Sequence, residues 1–115
     1  MSTKNIIINS IFVFSILLGG TINTAIASGA SIESNDLLAK EGREVYDAFC
    51  IRCHGPKMVN PGTITYDLRK FPHDKKDRFI NSVTKGKRQM PPWGHILSKE
   101  EIESIWAYVL TKGKL

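Results

Sequence analysis

Apolar residues recur at helical spacing in three stretches of the chain, each with polar residues on the opposite face. The first predicted helix runs from about Asp36 to Phe49, and the positions that offer N-caps are Ser34, Asn35 and Asp36. Its apolar face is formed by four side chains, namely Leu38, Val45, Tyr46 and Phe49. This helix delivers the chain into Cys50.

The other two predicted helices lie in the second half of the chain. One spans about Lys75 to Lys85, with Asp74 as N-cap and Gly86 as its C-terminal stop. The last begins with a capping box at Ser98, and its apolar residues repeat at i, i+3, i+4 and i+7: Ile102, Ile105, Trp106 and Val109. Three amphipathic helices favour a small helical domain.

The segment between the first two helices has no regular pattern. Residues 55–74 contain three of the five prolines and two glycines, which is typical of an irregular loop. The one strand-like run, residues 63–66, has no evident pairing partner. We therefore predict an all-α fold with irregular loops.

The N-terminus has the pattern of an export signal. Lys4 precedes an apolar run at residues 6–18, and Ala25-Ile26-Ala27 supplies the small residues that signal peptidase reads. We predict a cleaved signal peptide at residues 1–27, a short N-terminal segment at 28–36 and one domain at 37–115. The alternative is an uncleaved anchor, but the run is shorter than the roughly 20 apolar residues that span a bilayer.

A cysteine pair and a histidine follow the first helix, in the order Cys50-Ile51-Arg52-Cys53-His54. Two thiols at this spacing can add to the vinyl groups of one porphyrin, and the next imidazole can bind its iron. The motif predicts one haem c, bound covalently through Cys50 and Cys53. A redox dithiol would need a βαβ pattern, which is not visible, and a zinc site would need a further ligand such as His73 or His95.

A second iron ligand is predicted at Met90, in the run Gln89-Met90-Pro91-Pro92-Trp93. A thioether is a soft ligand that favours ferrous iron, and two prolines would stiffen the loop that presents it. The alternative, that Met90 fills the core, fits poorly beside Pro-Pro. Met58 follows His54 too closely to reach the opposite haem face easily, and His73 and His95 are rival ligands.

Together these features resemble the monohaem class I cytochromes c, over residues 37–111. The resemblance implies a small cytochrome c-like fold, with three main helices and irregular loops wrapped round one haem. It also implies a close crossing of the first and last helices, at Gly42 and Tyr46 on one and at Ile105 and Tyr108 on the other. Glycine allows two helix backbones to approach, and an aromatic ring fills the crossing.

A narrower resemblance concerns the partners. Short segments such as residues 58–62, 67–69 and 90–93 look like periplasmic cytochromes that accept electrons from quinoprotein alcohol dehydrogenases. Such a dehydrogenase is then expected as donor and an oxidase as acceptor. Several of those cytochromes are larger and acidic, whereas this chain is small and basic.

The resemblance also suggests residues around the haem. It places a proline carbonyl at Pro61, which we expect to accept a hydrogen bond from His54. Three side chains can donate to haem propionates, because phenol, guanidinium and indole groups suit carboxylates: Tyr66, Arg69 and Trp93.

The predicted ligand set determines the predicted function. Iron held by both His54 and Met90 has no open position, so we expect an exported, periplasmic one-electron carrier and not an enzyme. The alternatives are a cytochrome subunit of a dehydrogenase complex, and a haem enzyme or gas-binding protein whose sixth ligand dissociates.

Charge bears on how the carrier meets its partners. The chain has a formal net charge of +5, and loss of Lys4 with the signal leaves it basic. Lys85, Lys87 and Arg88 precede Met90 and would steer an acidic redox protein toward the haem edge. We expect a monomer that docks transiently, without stable membrane insertion after cleavage. Nucleic acid is a poor match for an exported, mildly basic chain.

Overall fold

The computed structural model describes residues 27–60, 62 and 65–115. It contains four α-helices, which are α1 (Ala27–Phe49), α2 (Ile51–His54), α3 (Lys76–Lys85) and α4 (Lys99–Leu110), and two 3-10 turns at Pro56–Met58 and Leu68–Lys70. The described residues form no β-strand beyond one isolated bridge, so the predicted all-α class is confirmed. The predicted signal peptide lies outside the described residues apart from Ala27, as does Pro61.

Helix α1 begins at Ala27, well before the start predicted at about Asp36. Residues 28–36 therefore lie within α1. The hydroxyl of Ser34 donates to the Ser31 carbonyl oxygen one turn earlier, at 2.9 Å, and so does not act as an N-cap. Serine can cap a helix or bond back inside one, and only the path of the backbone decides which occurs.

Helices α1 and α4 cross at close range, as the resemblance implied. A Cβ atom added to Gly42 would overlap the Ser104 carbonyl and lie 2.8 Å from the Ile105 nitrogen, so only glycine fits there. Beside this point the rings of Tyr46 and Tyr108 meet edge to face, with centroids 5.2 Å apart. This crossing orients the C-terminal end of α1, which leads into Cys50.

Helix α4 begins as predicted. The Ser98 hydroxyl accepts from the Glu101 N–H at 3.1 Å, and the Glu101 carboxylate accepts from the Ser98 N–H at 2.7 Å. This reciprocal pair satisfies two amides that the first turn would leave unbonded. The predicted capping box is confirmed.

Helix α3 begins one residue later than predicted, and its cap differs. Lys75 occupies the N-cap position and makes no side-chain cap bond. The predicted cap, Asp74, instead pairs its carboxylate with the Lys75 ammonium at 3.0 Å. The prediction was wrong because an adjacent cation competes for the same carboxylate. Gly86, with φ 78°, ends the helix as expected.

Aromatic rings join α3 and α4 to the loop before them. Phe71 lies 5.7 Å from Phe79 of α3 and 5.9 Å from Trp106 of α4, and Phe79 and Trp106 are 5.2 Å apart between centroids. Further core residues with almost no exposure are Met58, Ile105 and Val109. The core thus lies between α1, α3 and α4, and it supports the segments on either side of the cysteine motif.

Candidate functional site

The cysteine motif occupies the single turn of helix α2. The N–H groups of Cys53 and His54 both donate to the Cys50 carbonyl oxygen, at 3.1 and 2.9 Å. Because positions i, i+3 and i+4 share one side of a helix, Cys50, Cys53 and His54 face the same way. The cysteines are not joined as a disulfide. All three side chains can therefore reach one flat group.

The imidazole of His54 is oriented by a backbone carbonyl. Its Nδ1 lies 3.3 Å from the Tyr66 oxygen, and a carbonyl oxygen only accepts, so Nδ1 carries the hydrogen. The Nε2 lone pair is then available for a metal ion. Burial lowers the pKa of His54, and the hydrogen bond to Tyr66 has a smaller effect in the opposite direction. The lowered pKa favours the neutral imidazole, which is the form that binds a metal ion.

The electrostatics of Cys50 bear on the dithiol alternative. Burial, with a smaller effect of the neighbouring Cys53, raises the pKa of the Cys50 thiol to about 12. Redox-active dithiols depend on a cysteine whose pKa is lowered, since the thiolate is the nucleophile. A thiol with a raised pKa is a poor nucleophile, so Cys50 lacks the activation that such exchange requires of its attacking cysteine.

The zinc alternative also finds no support in the side chains. Across the described ranges, no group of three or more His, Cys, Asp or Glu side chains is arranged to hold a metal ion. A zinc module needs such a cluster. The two histidines proposed as rival ligands, His73 and His95, are exposed.

Met90 ends a tight turn that follows α3. The backbones of Lys87 and Met90 exchange two hydrogen bonds of 3.0 Å each. Gly86 has φ 78°, and a Cβ there would lie 2.7 Å from the Met90 oxygen, so glycine is required. The Trp93 N–H donates to the Val83 oxygen at 2.9 Å, which ties the far end of the loop to α3. Met90 is half-buried in a rigid loop.

The cysteine motif and the methionine loop meet through two aromatic rings. Phe49, the residue before Cys50, packs edge to face on Trp93, with centroids 5.5 Å apart. Apolar side chains near the motif remain partly exposed, with 49% for Val59 and 54% for Tyr66. An apolar planar cofactor would cover such surface, and the nitrogen and sulfur donors are those that haem iron takes. These residues fit a haem.

The comparisons with known proteins agree with this chemistry. A family model described as cytochrome c oxidase, cbb3-type, subunit III matches residues 38–109. The chain belongs to the class I cytochromes c. Cytochrome c6 of Rippkaea orientalis is 38% identical over 80 residues, covering 66% of this chain and 72% of that protein. Cytochrome c6 of Microcystis aeruginosa is 35% identical over 78 residues, covering 64% and 96%.

One larger protein is also similar. Quinohemoprotein alcohol dehydrogenase ADH-IIG of Pseudomonas putida is 30% identical over 82 residues, which cover 69% of this chain and only 11% of that protein. No solved structure gives a significant match. The family supports haem c as the cofactor and electron transfer as the activity of this small cytochrome, whereas its link to alcohol dehydrogenases is weak.

Three side chains predicted to bind haem propionates have different surroundings in this cytochrome. The Tyr66 hydroxyl donates to the Lys70 carbonyl at 3.1 Å. Arg69 directs Nε and one terminal nitrogen to the Asp67 carboxylate, at 2.9 and 2.8 Å. This bidentate bond lowers the pKa of Asp67 and raises that of Arg69. Trp93 is half-buried, and its ring packs on Phe49.

The predicted docking residues surround the methionine turn. Lys85, Lys87 and Arg88 are all exposed, and in the described part of the cytochrome none of them forms an ion pair. Arg88 lies inside the turn with φ 55°. The three cations thus lie together beside Met90, and their role in docking stays a prediction.

Sequence reasoning missed the carbonyl of Tyr66 as the partner of His54. A main-chain oxygen has no residue-type signal, so no motif could have identified it. The hydroxyl of Thr65 donates to the Cys53 oxygen at 2.9 Å and helps hold this segment against α2. Sequence reasoning also missed the Tyr46 hydroxyl, which donates to the Gly55 oxygen directly after the motif, at 2.7 Å.

Proposed function

We propose that this cytochrome is a periplasmic one-electron carrier with one haem c in a six-coordinate His/Met state. The observation that carries the proposal is the packing of Phe49 on Trp93, at 5.5 Å between centroids, because Phe49 adjoins the cysteine motif and Trp93 lies in the loop that carries Met90. One cofactor can then be bound by residues far apart in the chain.

In this proposal each residue has a separate task. Cys50 and Cys53 would hold the haem through thioethers, formed by adding each thiol across a vinyl group, and His54 and Met90 would be its two iron ligands. The bound haem supplies a reversible one-electron change. The Tyr66 carbonyl holds His54 in the correct tautomer, and the proline loop holds the Met90 sulfur. Two protein ligands leave no position for substrate or oxygen.

The location and partners are part of the proposal. Export through the signal at residues 1–27 would place the protein where haem c is attached. None of the helices in the described part of the chain combines the length and apolar character that crossing a membrane requires. We propose a quinoprotein alcohol dehydrogenase as electron donor and an oxidase as electron acceptor. The similarity to part of a quinohemoprotein alcohol dehydrogenase and the match to an oxidase-subunit family support this choice.

A second candidate function is a stable subunit of a larger redox complex. It is favoured by the family description, which names an oxidase subunit, and by the similarity to a small part of a large dehydrogenase. Size-exclusion chromatography of the protein from its native membrane and periplasmic fractions separates the two. A free carrier elutes near the mass of one chain, whereas a subunit elutes with its complex.

The test of the ligand set is the variant Met90→Ala in the haem-loaded protein. A thioether favours ferrous iron, so its loss should lower the reduction potential and abolish the weak red absorption band of sulfur-bound ferric haem. Absorption spectra during a redox titration measure both effects.

Met58→Leu is the matched control. Met58 is fully buried in the core, so leucine should keep the red band while costing less than about 1.5 kcal/mol of stability. If Met90→Ala keeps the red band, or if the unaltered protein binds carbon monoxide rapidly and fully, the six-coordinate carrier is ruled out.

A further inference from the structure

The turn that follows His54 has an unusual backbone. Gly55 has φ 78°, and the non-glycine residues Lys57 and Met58 have φ values of 54° and 60°. Residues with a Cβ atom rarely adopt this left-handed region, because the Cβ crowds the backbone. Two such residues in succession require contacts from outside the turn to hold them.

Three contacts hold this turn, and they come from distant parts of the chain. The hydroxyl of Tyr46, on α1, donates to the Gly55 oxygen at 2.7 Å, and the same oxygen accepts from the Met58 N–H at 3.2 Å. The Met58 side chain is fully buried in the core. Near the C-terminus, the backbone of Gly113 lies so close to the Lys57 carbonyl that a Cβ would not fit. Of these contacts, only the hydroxyl bonds directly to the residue next to His54.

We propose that the Tyr46 hydroxyl is a positioning group for the haem ligand: by closing the turn from Gly55 to Met58 it holds the His54 imidazole against the Tyr66 carbonyl. This inference rests on the proposed role of His54 as an iron ligand. The Nδ1 hydrogen bond makes an imidazole a stronger electron donor, which favours ferric iron. A hydroxyl more than one helical turn away in sequence would thereby help to set the reduction potential.

The chain contains a matched comparison for this hydroxyl. Tyr108 packs against the ring of Tyr46, with centroids 5.2 Å apart, and both residues are 0% exposed. The Tyr108 hydroxyl, however, has no hydrogen-bond partner among the described residues. The change Tyr→Phe therefore removes the same atom from the same part of the core, but only at position 46 does it remove a hydrogen bond, the one to the Gly55 oxygen.

The experiment compares Tyr46→Phe with Tyr108→Phe in the haem-loaded protein, under conditions where both are folded. Tyr46→Phe should accelerate hydrogen exchange of the Met58 amide at least tenfold, measured by NMR on the ferrous form. It should also raise the reduction potential, because the bond from His54 to Tyr66 weakens. Tyr108→Phe should change neither quantity measurably.

A third variant separates positioning from general stability. Lys57→Gly relieves left-handed strain, so the double variant Tyr46→Phe/Lys57→Gly should return the potential toward that of the unaltered protein. If Tyr46→Phe does not fold while Tyr108→Phe does, recovery of the fold and of a near-normal potential in the double variant supports the proposal.

Three results would overturn the proposal. The first is a reduction potential that changes no more in Tyr46→Phe than in Tyr108→Phe, and the second is unchanged hydrogen exchange of the Met58 amide in Tyr46→Phe. The third is a double variant that is unfolded or whose reduction potential stays shifted. Failure of the proposed function is recognised separately, since replacing His54 itself would then leave the haem spectrum unaltered.

Discussion

Single side chains in this cytochrome show how strongly a polar group depends on its neighbours. Arg69, which we expect to donate to a haem propionate, directs two of its nitrogens to Asp67, only two residues earlier. Asp67 also accepts from the Arg69 N–H at 3.0 Å and so begins the 3-10 turn that follows. The pairing with Asp67 fixes the guanidinium and leaves its remaining N–H groups for a second acceptor, so the propionate bond stays a prediction.

This pairing predicts how stability depends on pH. Bonding to Arg69, above all, lowers the pKa of Asp67 below its ordinary value of 3.8. The ionised carboxylate therefore stabilises the folded state above pH 3.8, and this contribution is lost as the pH falls through the lower, folded-state pKa. Asp67→Asn should reduce the free energy of unfolding at neutral pH by a small amount, which shrinks to nothing in strong acid. Urea unfolding across this range measures it.

The control for this prediction is Asp36→Asn. Asp36 is exposed on α1 and forms no ion pair within the described ranges, so its replacement should change stability little at neutral pH. A destabilisation by Asp67→Asn that stays constant from neutral to strongly acidic pH would contradict the electrostatic explanation. In that case the amide would simply be a poorer partner for the turn.

The helices differ in how well their sequences predict them. The capping box at Ser98 fixes the start of α4, because both of its hydrogen bonds lie within four residues. Helix α1 has no comparable signal, and it begins at Ala27 although three good capping residues lie further along. Short polar residues satisfy their hydrogen bonds in several backbone conformations, so their presence alone does not determine a boundary.

The crossing of α1 and α4 predicts a large effect at Gly42. A Cβ there would overlap the backbone of Ser104. The backbone of a helix cannot shift to relieve such an overlap as easily as a flexible side chain can. We expect Gly42→Ala to lower the free energy of unfolding by about 3 kcal/mol, even though alanine favours helix formation. Urea unfolding of the haem-loaded protein measures the change.

Gly62→Ala serves as the matched control. A Cβ added to Gly62 meets nothing within 4 Å, so its free energy of unfolding should change by less than about 0.5 kcal/mol. Equal effects of the two substitutions would show that α1 and α4 do not meet at Gly42 as described.

At the scale of the whole molecule, charge is distributed unevenly around the candidate haem site. The chain has a formal net charge of +5. Lys85, Lys87 and Arg88 are exposed beside the methionine turn, while other cations, such as Arg43 on α1, pair with nearby carboxylates. Unpaired cations next to a redox centre attract anionic partners and repel cationic ones.

This distribution predicts that removing the three cations changes the rate of oxidation by an anionic reagent and by a cationic reagent in opposite directions. Replacing Lys85, Lys87 and Arg88 together with glutamine should slow oxidation of the reduced protein by hexacyanoferrate(III) several-fold. It should accelerate oxidation by the cationic reagent tris(phenanthroline)cobalt(III). Stopped-flow measurements at low salt give both rates, and at 1 M salt both effects should nearly vanish, since the Debye length is then about 3 Å.

The control variant removes the same charge from other surfaces, at Lys40, Lys112 and Lys114. It should change both rates less than the first variant does, because its cations lie on α1 and in the C-terminal segment. Equal effects of the two variants would mean that only net charge matters and that no local docking patch exists.

The sequence by itself determined the features that depend on neighbouring residues. The order Cys50, Cys53, His54 predicted the cofactor, and the capping box predicted the start of α4, because bonding within one turn needs only correct spacing. The prolines after Met90 likewise indicated a rigid loop, and the family comparisons confirm the cytochrome class.

Only the tertiary structure decided which distant groups meet. It assigned the Tyr66 carbonyl to His54 and placed the Tyr46 hydroxyl on the strained turn. These contacts join residues twelve and nine positions apart, and both use main-chain oxygens that every residue possesses. No local pattern records them, because they follow from how the helices pack and not from the residues on either side.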